Sequence, residues 1–429
     1  MTAIVGILNK RSIALAADSA VTINSPSGHK VLNSANKVFS LSKKHPVGVM
    51  LYASASFMDT PWDIIIKMYR DQLNDKSHST LNDYVADFVK YLKGKNFFCS
   101  ENMQKQYLLR HMEFYYNDVR NIATQNCINQ SKQPAEQIPS TIVHNEMLNV
   151  LEHHSNYYAT RPKCPDFENY TINDLQSFAT NEIDSIQNVF QPHVLDVITF
   201  REVFVKSFTT YICSDHIAFD RTGLVFVGYG EDEIYPSLIP LNVSFAMDNK
   251  LRGCIETAMI QHITENNKAA ICPFAQTDVM MTILTGVDDG IKNLAYATFD
   301  KTIESFLNVI IGNLQSKNVD TSIISAIKGI DLNVFSNLFK KSINDFINNE
   351  YIIKLVETVE YLEKEDLANM AESLIALTGL KRRMTSSEES VGGPVDVAII
   401  SKSDGFIWMK RKHYFNKELN AQFFQRYNQ

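Results

Sequence analysis

TAIVGILNKRSIALAAD, residues 2–18, decides how the rest of the chain is read. Two runs rich in Ile, Val and Ala, 2–8 and 12–18, flank Asn9-Lys10-Arg11, and short apolar runs about a polar break predict a buried β-hairpin. Thr2 then stands at the tip of the first strand. Asp18 stands at the end of the second, where a hairpin folds it back beside the first. The small residue after the initiator favours removal of Met1, which would leave a hydroxyl and a free α-amino group on Thr2, a nucleophile with its base attached. Taken alone, a threonine at position two is explained by β propensity; its neighbours give it a chemical meaning.

With 429 residues and 45% apolar content, the chain can bury one large core or two ordinary ones without disulfides. Cys99, Cys127, Cys164, Cys213, Cys254 and Cys272 lie far apart with no CxxC pair. That spacing is neither a zinc site nor a dense disulfide framework, so reduced, buried thiols are expected. No apolar run approaches the ~20 residues that span a bilayer. Lys10 and Arg11 interrupt the early apolar pattern, against a signal peptide, and the expected location is cytoplasmic. A net charge of −7 disfavours nucleic acid as a partner. Lys381-Arg382-Arg383 reads as a solvated helix end.

Strand text continues after the Ser25-Pro26-Ser27-Gly28 turn in NKVFSL and VGVMLYAS, and Pro61-Trp62 opens an amphipathic helix to about Leu73. From about 76 to 219 the text turns helical, rich in Asn, Gln, His and Tyr, with prolines as breakers, and reads as an insertion. Strands return at GLVFVGYG (223–230), YPSLIPLNVSF (235–245) and 269–274. Helices then run from about Thr277 to about Leu377, ending just before Gly379. PVDVAIISK and GFIWMK close the chain as a hairpin turned at Ser403-Asp404-Gly405. The order of sheet, helix, insertion, sheet, helices and sheet suits an α+β fold with two antiparallel sheets between helical layers, divided as 1–75, 76–219 and 220–429.

TAIVGI with LAADSAVT, SANKVFSL, LVFVGYGEDEIYPSL and SVGGPVDVAIISKSDGF together resemble the proteasome-type N-terminal nucleophile hydrolases, close to the proteasome β-subunit, HslV and Anbu-like peptidases. The resemblance covers roughly 2–75 and 220–412. It implies a four-layer αββα sandwich and a threonine-type peptidase or amidase acting on peptide or unfolded protein, without cofactor or metal. By the same resemblance Thr2 is the nucleophile, Asp18 and Lys37 bias it and its amine toward their reactive forms, and Ala53 and Ser54 supply backbone donors to the oxyanion. Lys30 is the competing lysine, but Val-Phe after Lys37 fits the family strand better. The turn Tyr52-Ala53-Ser54-Ala55-Ser56 lacks the glycine the family commonly has there. Glu388 or Ser390, before Gly392-Gly393, takes the place of the family's support for the N-terminus. Val21, Ala35 and Met50 match the first specificity pocket and imply an apolar residue on the acyl side of the cut bond.

The resemblance also implies a homo-oligomer, a ring or an arc. No GxxxxGK[ST] occurs in the chain, so an ATP-dependent unfoldase feeding the site would be a separate polypeptide. No HExxH spacing occurs around His153-His154, and Asp288-Asp289-Gly290 reads as a helix interruption rather than a calcium loop. Phe114-Tyr115-Tyr116 and Tyr157-Tyr158 read as packing residues. The other reading of the whole chain is a catalytically silent member of the same fold that serves as a scaffold or partner-binding protein.

Overall fold

A computed structural model describes residues 2–25, 28–190, 194–216, 220–317, 319–385, 391–413, 415–416 and 418–422. The chain forms two compact units, Met1–Ala35 with Ile263–Ile399 and Ile407–Gln429, and Asn36–His262 with Ile400–Phe406. The first unit opens with β1 (Ala3–Asn9), β2 (Ile13–Ala17), β3 (Val21–Ser25) and β4 (Gly28–Leu32). The second holds β5 (Val38–Ser40), β6 (Val47–Ala53), β7 (Ser56–Phe57), β8 (Thr60–Pro61) and α1 (Trp62–Leu73). It continues through α2 (Leu81–Gly94), α3 (Glu101–Ser131), α4 (Ser140–Ala159), α5 (Ile172–Phe178), α6 (Thr180–Phe190) and α7 (Val197–Cys213). It closes with β9 (Thr222–Gly228), β10 (Ser237–Met247), β11 (Lys250–Ile255) and β12 (Gln261–His262). The chain then returns to the first unit for β13 (Ala269–Ala275), α8 (Asp278–Thr285), α9 (Asp289–Ser316), α10 (Thr321–Lys328) and α11 (Asn333–Ile347). The last elements are α12 (Ile353–Tyr361), α13 (Lys364–Met384), β14 (Asp396–Ser401) and β15 (Gly405–Lys410).

In the first unit the strand order is β13-β1-β2-β14-β15, with β1 antiparallel to both neighbours and Ile4 opposite Ala17. Ala3, Val5, Ile7, Ala14 and Ala16 form one core with Leu367, Ala371, Leu374 and Ile375 of α13. Alanines on β2 keep that face shallow enough for the helix to lie close. Ile4, Leu8 and Leu15 point to the other face by the two-residue period, and they too are fully buried. Burial on both faces is why these strands read as unbroken apolar runs.

The second sheet has the order β11-β10-β9-β6-β5, with β12 on β10. Val49, Leu51, Leu224 and Phe226 share a core with Trp62 and Tyr69 of α1 and Phe88 of α2. Met50, Val225 and Val227, on the opposite face, are also buried. Residues 76–219 do not stand apart, because side chains of α2, α3, α4, α6 and α7 belong to that same core. Within it Tyr115 stacks on Tyr211 at 5.0 Å and shares a 2.7 Å hydrogen bond with Ser207. Tyr115, Tyr116 and Tyr158 are buried while Phe114 and Tyr157 are exposed, so each aromatic cluster divides between core and surface.

The structure departs from the sequence expectations in several places. α13 does not stop before Gly379 but continues to Met384. Gly379 is buried in its interior, where packing on β1 and β2 outweighs a propensity cost of about 1 kcal/mol. The β3–β4 hairpin and β11 do not show in the apolar pattern, their text being too polar or too short. Cys164 and Cys254 are joined by a disulfide, 90 residues apart in sequence, so only Cys99, Cys127, Cys213 and Cys272 are free buried thiols. The expectation of reduced thiols therefore holds for those four and fails for Cys164 and Cys254. No helix among the described residues is long and apolar enough to cross a membrane.

Candidate active site

In the first unit the hairpin brings residue 18 to the start of β1. Thr2 is buried immediately before that strand, and its carbonyl accepts the amide of Gln276 at 3.1 Å. The Asp18 amide donates to the Ala3 carbonyl at 3.1 Å. Asp18 Oδ1 accepts the Ala3 amide at 2.9 Å, while Oδ2 accepts the amides of Ala20 at 3.0 Å and Gly392 at 3.3 Å. Three backbone donors on one buried carboxylate fix its rotamer and offset the cost of burying it.

The Gly-Gly segment completes this corner. The Ser19 amide donates to the Gly392 carbonyl at 3.1 Å, and the Ser19 hydroxyl donates to the Pro394 carbonyl. Gly393 has φ +75°, and a Cβ there would lie 2.8 Å from Asn33 Cβ, so both the backbone angle and the space require glycine. Ala35 donates its amide to the Ser19 carbonyl at 3.1 Å. Ala35 and Val21 are half-buried. Glu388 and Ser390 lie outside the described residues.

In the second unit Lys37 is buried just before β5, and its carbonyl accepts the Leu51 amide at 2.8 Å. Met50 lies between Val38 and Val225 and has no exposed surface. Ala53 ends β6 with φ +67°, an uncommon angle for a side chain other than glycine that costs about 1–3 kcal/mol and that this chain adopts at several other turns as well. The Ser54 amide is committed to the Arg221 carbonyl at 3.1 Å, so of the two expected backbone donors it is not the open one. The Ser54 carbonyl accepts the Thr222 hydroxyl at 3.1 Å, and Thr222 accepts the Trp62 indole N–H at 2.7 Å. The strained turn is therefore braced through two strands to the first turn of α1.

Tyr52 leaves that turn in a defined direction. A Cβ on Gly223 would fall 1.9 Å from the Tyr52 ring, so glycine there lets the ring lie across β9. The phenol donates to Asn242 Oδ1 at 3.2 Å, and Asn242 Nδ2 donates to Glu256 at 3.0 Å. Burial, reinforced by the Glu256 carboxylate, pushes the Tyr52 phenol up to about 12. Neither the Trp62–Thr222 brace nor the Tyr52–Asn242–Glu256 chain was visible in the sequence, because each joins residues about 160 or more apart with no motif to link them. Gly223 at the head of LVFV was the one local hint. Among the described residues no three His, Cys, Asp or Glu side chains converge as metal ligands. No protein-family model and no curated protein matches the chain.

Proposed function

We propose that the chain is an N-terminal threonine peptidase or amidase of the αββα class. The observation that carries this reading is the Asp18 carboxylate held by the amide of the residue next to Thr2. With Met1 removed, the Thr2 hydroxyl attacks a peptide carbonyl and passes its proton to its own α-amino group. That proton goes to the departing amine as the C–N bond breaks, and the acyl-enzyme is released by water that the same amine activates. An α-amino group titrates near ~8, suited to both transfers. Lys37 is the carried-over cationic partner, and Ala53 the remaining backbone donor for the oxyanion. The four-layer arrangement comes from the same family resemblance. Val21 and Ala35 favour an apolar residue on the acyl side, because a charged one would be desolvated without a partner.

Intact-mass measurement of the purified chain, with hydrolysis of a fluorogenic peptide library by wild type, Thr2→Ala and Thr2→Ser, tests the reading. The expected result is loss of the Met1 mass, no turnover by Thr2→Ala, and partial turnover by Thr2→Ser, which keeps a hydroxyl. Retained Met1, or hydrolysis by Thr2→Ala equal to wild type, would sink it.

A further inference from the structure

α9 has two apolar faces, and only one of them is covered. On the covered side Phe299 stacks on Phe339 of α11 at 4.2 Å, Tyr296 donates to Asn344 at 2.9 Å, and Lys340 donates to Asp300 at 3.3 Å. The other side holds Ile291, Leu294, Phe306 and Val309, each at least 62% exposed. At 3.6 residues per turn these four lie within about 60° of a common line. Thr298, Thr302 and Ser305 fill that line between them, and no charged residue of α9 falls on it. The Thr302 hydroxyl is spent inside the helix on the Thr298 carbonyl at 2.7 Å, so covering it strands no donor.

The pattern is symmetric about residue 300. Ile291 and Val309 stand equally far from it, as do Leu294 and Phe306, and the residues between are small. Turned end for end, a second α9 sets Ile291 against Val309 and Leu294 against Phe306, with the thinner middles facing each other. Lys292 then stands level with Asn308 and Glu304 with Tyr296, while Lys301, one residue from the two-fold axis, comes beside its own copy just outside the apolar strip, where both stay exposed and water screens the pair. At about 150–200 Å² for a fully exposed large side chain, the four give on the order of 400 Å² per copy. Two copies with the strip between then approach the ~1,000 Å² of a specific interface. A surface that matches its own inverse is what a two-fold contact requires; an unrelated partner or a membrane would call for no such mirror order.

We propose that two copies of this chain associate through antiparallel packing of α9 on α9, whether or not Thr2 is catalytic. Sedimentation of the full chain at micromolar concentration should show species larger than the 48.8 kDa monomer. Leu294→Glu with Phe306→Glu should halve their mass while leaving the circular dichroism spectrum unchanged. A second measurement mixes Ile291→Cys and Val309→Cys chains under mild oxidation. The two positions lie about 27 Å apart along the helix, so the antiparallel contact gives crosslinks between unlike chains and few between like ones. A wild-type monomer throughout, full mass retained by the double variant, or dominant Ile291→Cys crosslinks to itself would each overturn the proposal. So would a monomer that gains mass only with lipid vesicles.

Discussion

α3 and α9 are two long helices, 31 and 28 residues, and they differ sharply in what they bury. α3 buries ten side chains, with Leu108, Met112, Tyr115 and Val119 recurring every three or four residues against a sheet and two further helices. α9 buries one, Ile311. Both read as helix, and both carry apolar residues in plenty. Apolar content therefore records how much surface a helix must cover, not whether its own chain covers it.

The broadest test of that difference is truncation of one large ring in each region. Phe204 is fully buried and packs on Phe190, Phe208 and Tyr115, whereas Phe306 is 63% exposed. Phe204→Ala should cost about 3–5 kcal/mol in urea unfolding. Phe306→Ala, measured at the lowest workable protein concentration, should stay within about 0.5 kcal/mol. Equal losses would erase the distinction between the two regions.

Acid provides the next test, because the α3 region buries a base and α9 carries no histidine. His111 stacks on Phe245 at 4.2 Å, and burial, with Arg252 and Arg110 adding to it, lowers its imidazole to about 3. The unfolded chain takes up this proton near 6.5 and the folded chain does not, so the stability is intact above 6.5 and falls as pH drops toward 3. By pH 5 this one group should lower stability by about 2 kcal/mol. His111→Leu should flatten the unfolding free energy between pH 7 and 5, and an unchanged slope would show that His111 is protonated in place.

The sequence made local order legible and long-range order obscure. β1, β2 and α1 could be read because an Ala-rich hairpin and a Pro-Trp helix start are decided by neighbours in the chain. Asp18 beside Thr2 followed from the hairpin. The Gly392-Gly393 corner was reached only through a family resemblance, since no spacing rule ties residue 392 to residue 18, and the role of Lys37 rests on that resemblance alone. α13 outran its expected end because Gly379 is a weak stop once the helix is packed. The Cys164–Cys254 bond could not be read at all, as six scattered cysteines allow many pairings.

The finest test compares one phenol on each helix. The Tyr115 hydroxyl meets Ser207 inside the core, and Ser207 also donates to the Leu151 carbonyl at 2.9 Å. Tyr115→Phe removes this bond and a longer one to His154 Nδ1 at 3.3 Å but leaves Ser207 its other partner, so the loss should be about 1–2 kcal/mol rather than the larger cost of a stranded polar group. Tyr296 makes the matching bond to Asn344 where water can replace it, and Tyr296→Phe should change stability by only a few tenths of a kcal/mol. Urea midpoints of the two variants read the difference directly. If Tyr296→Phe proved the costlier, water would have to be excluded from the α9–α11 contact, and the contrast between a covered and an uncovered helix would fail at that point.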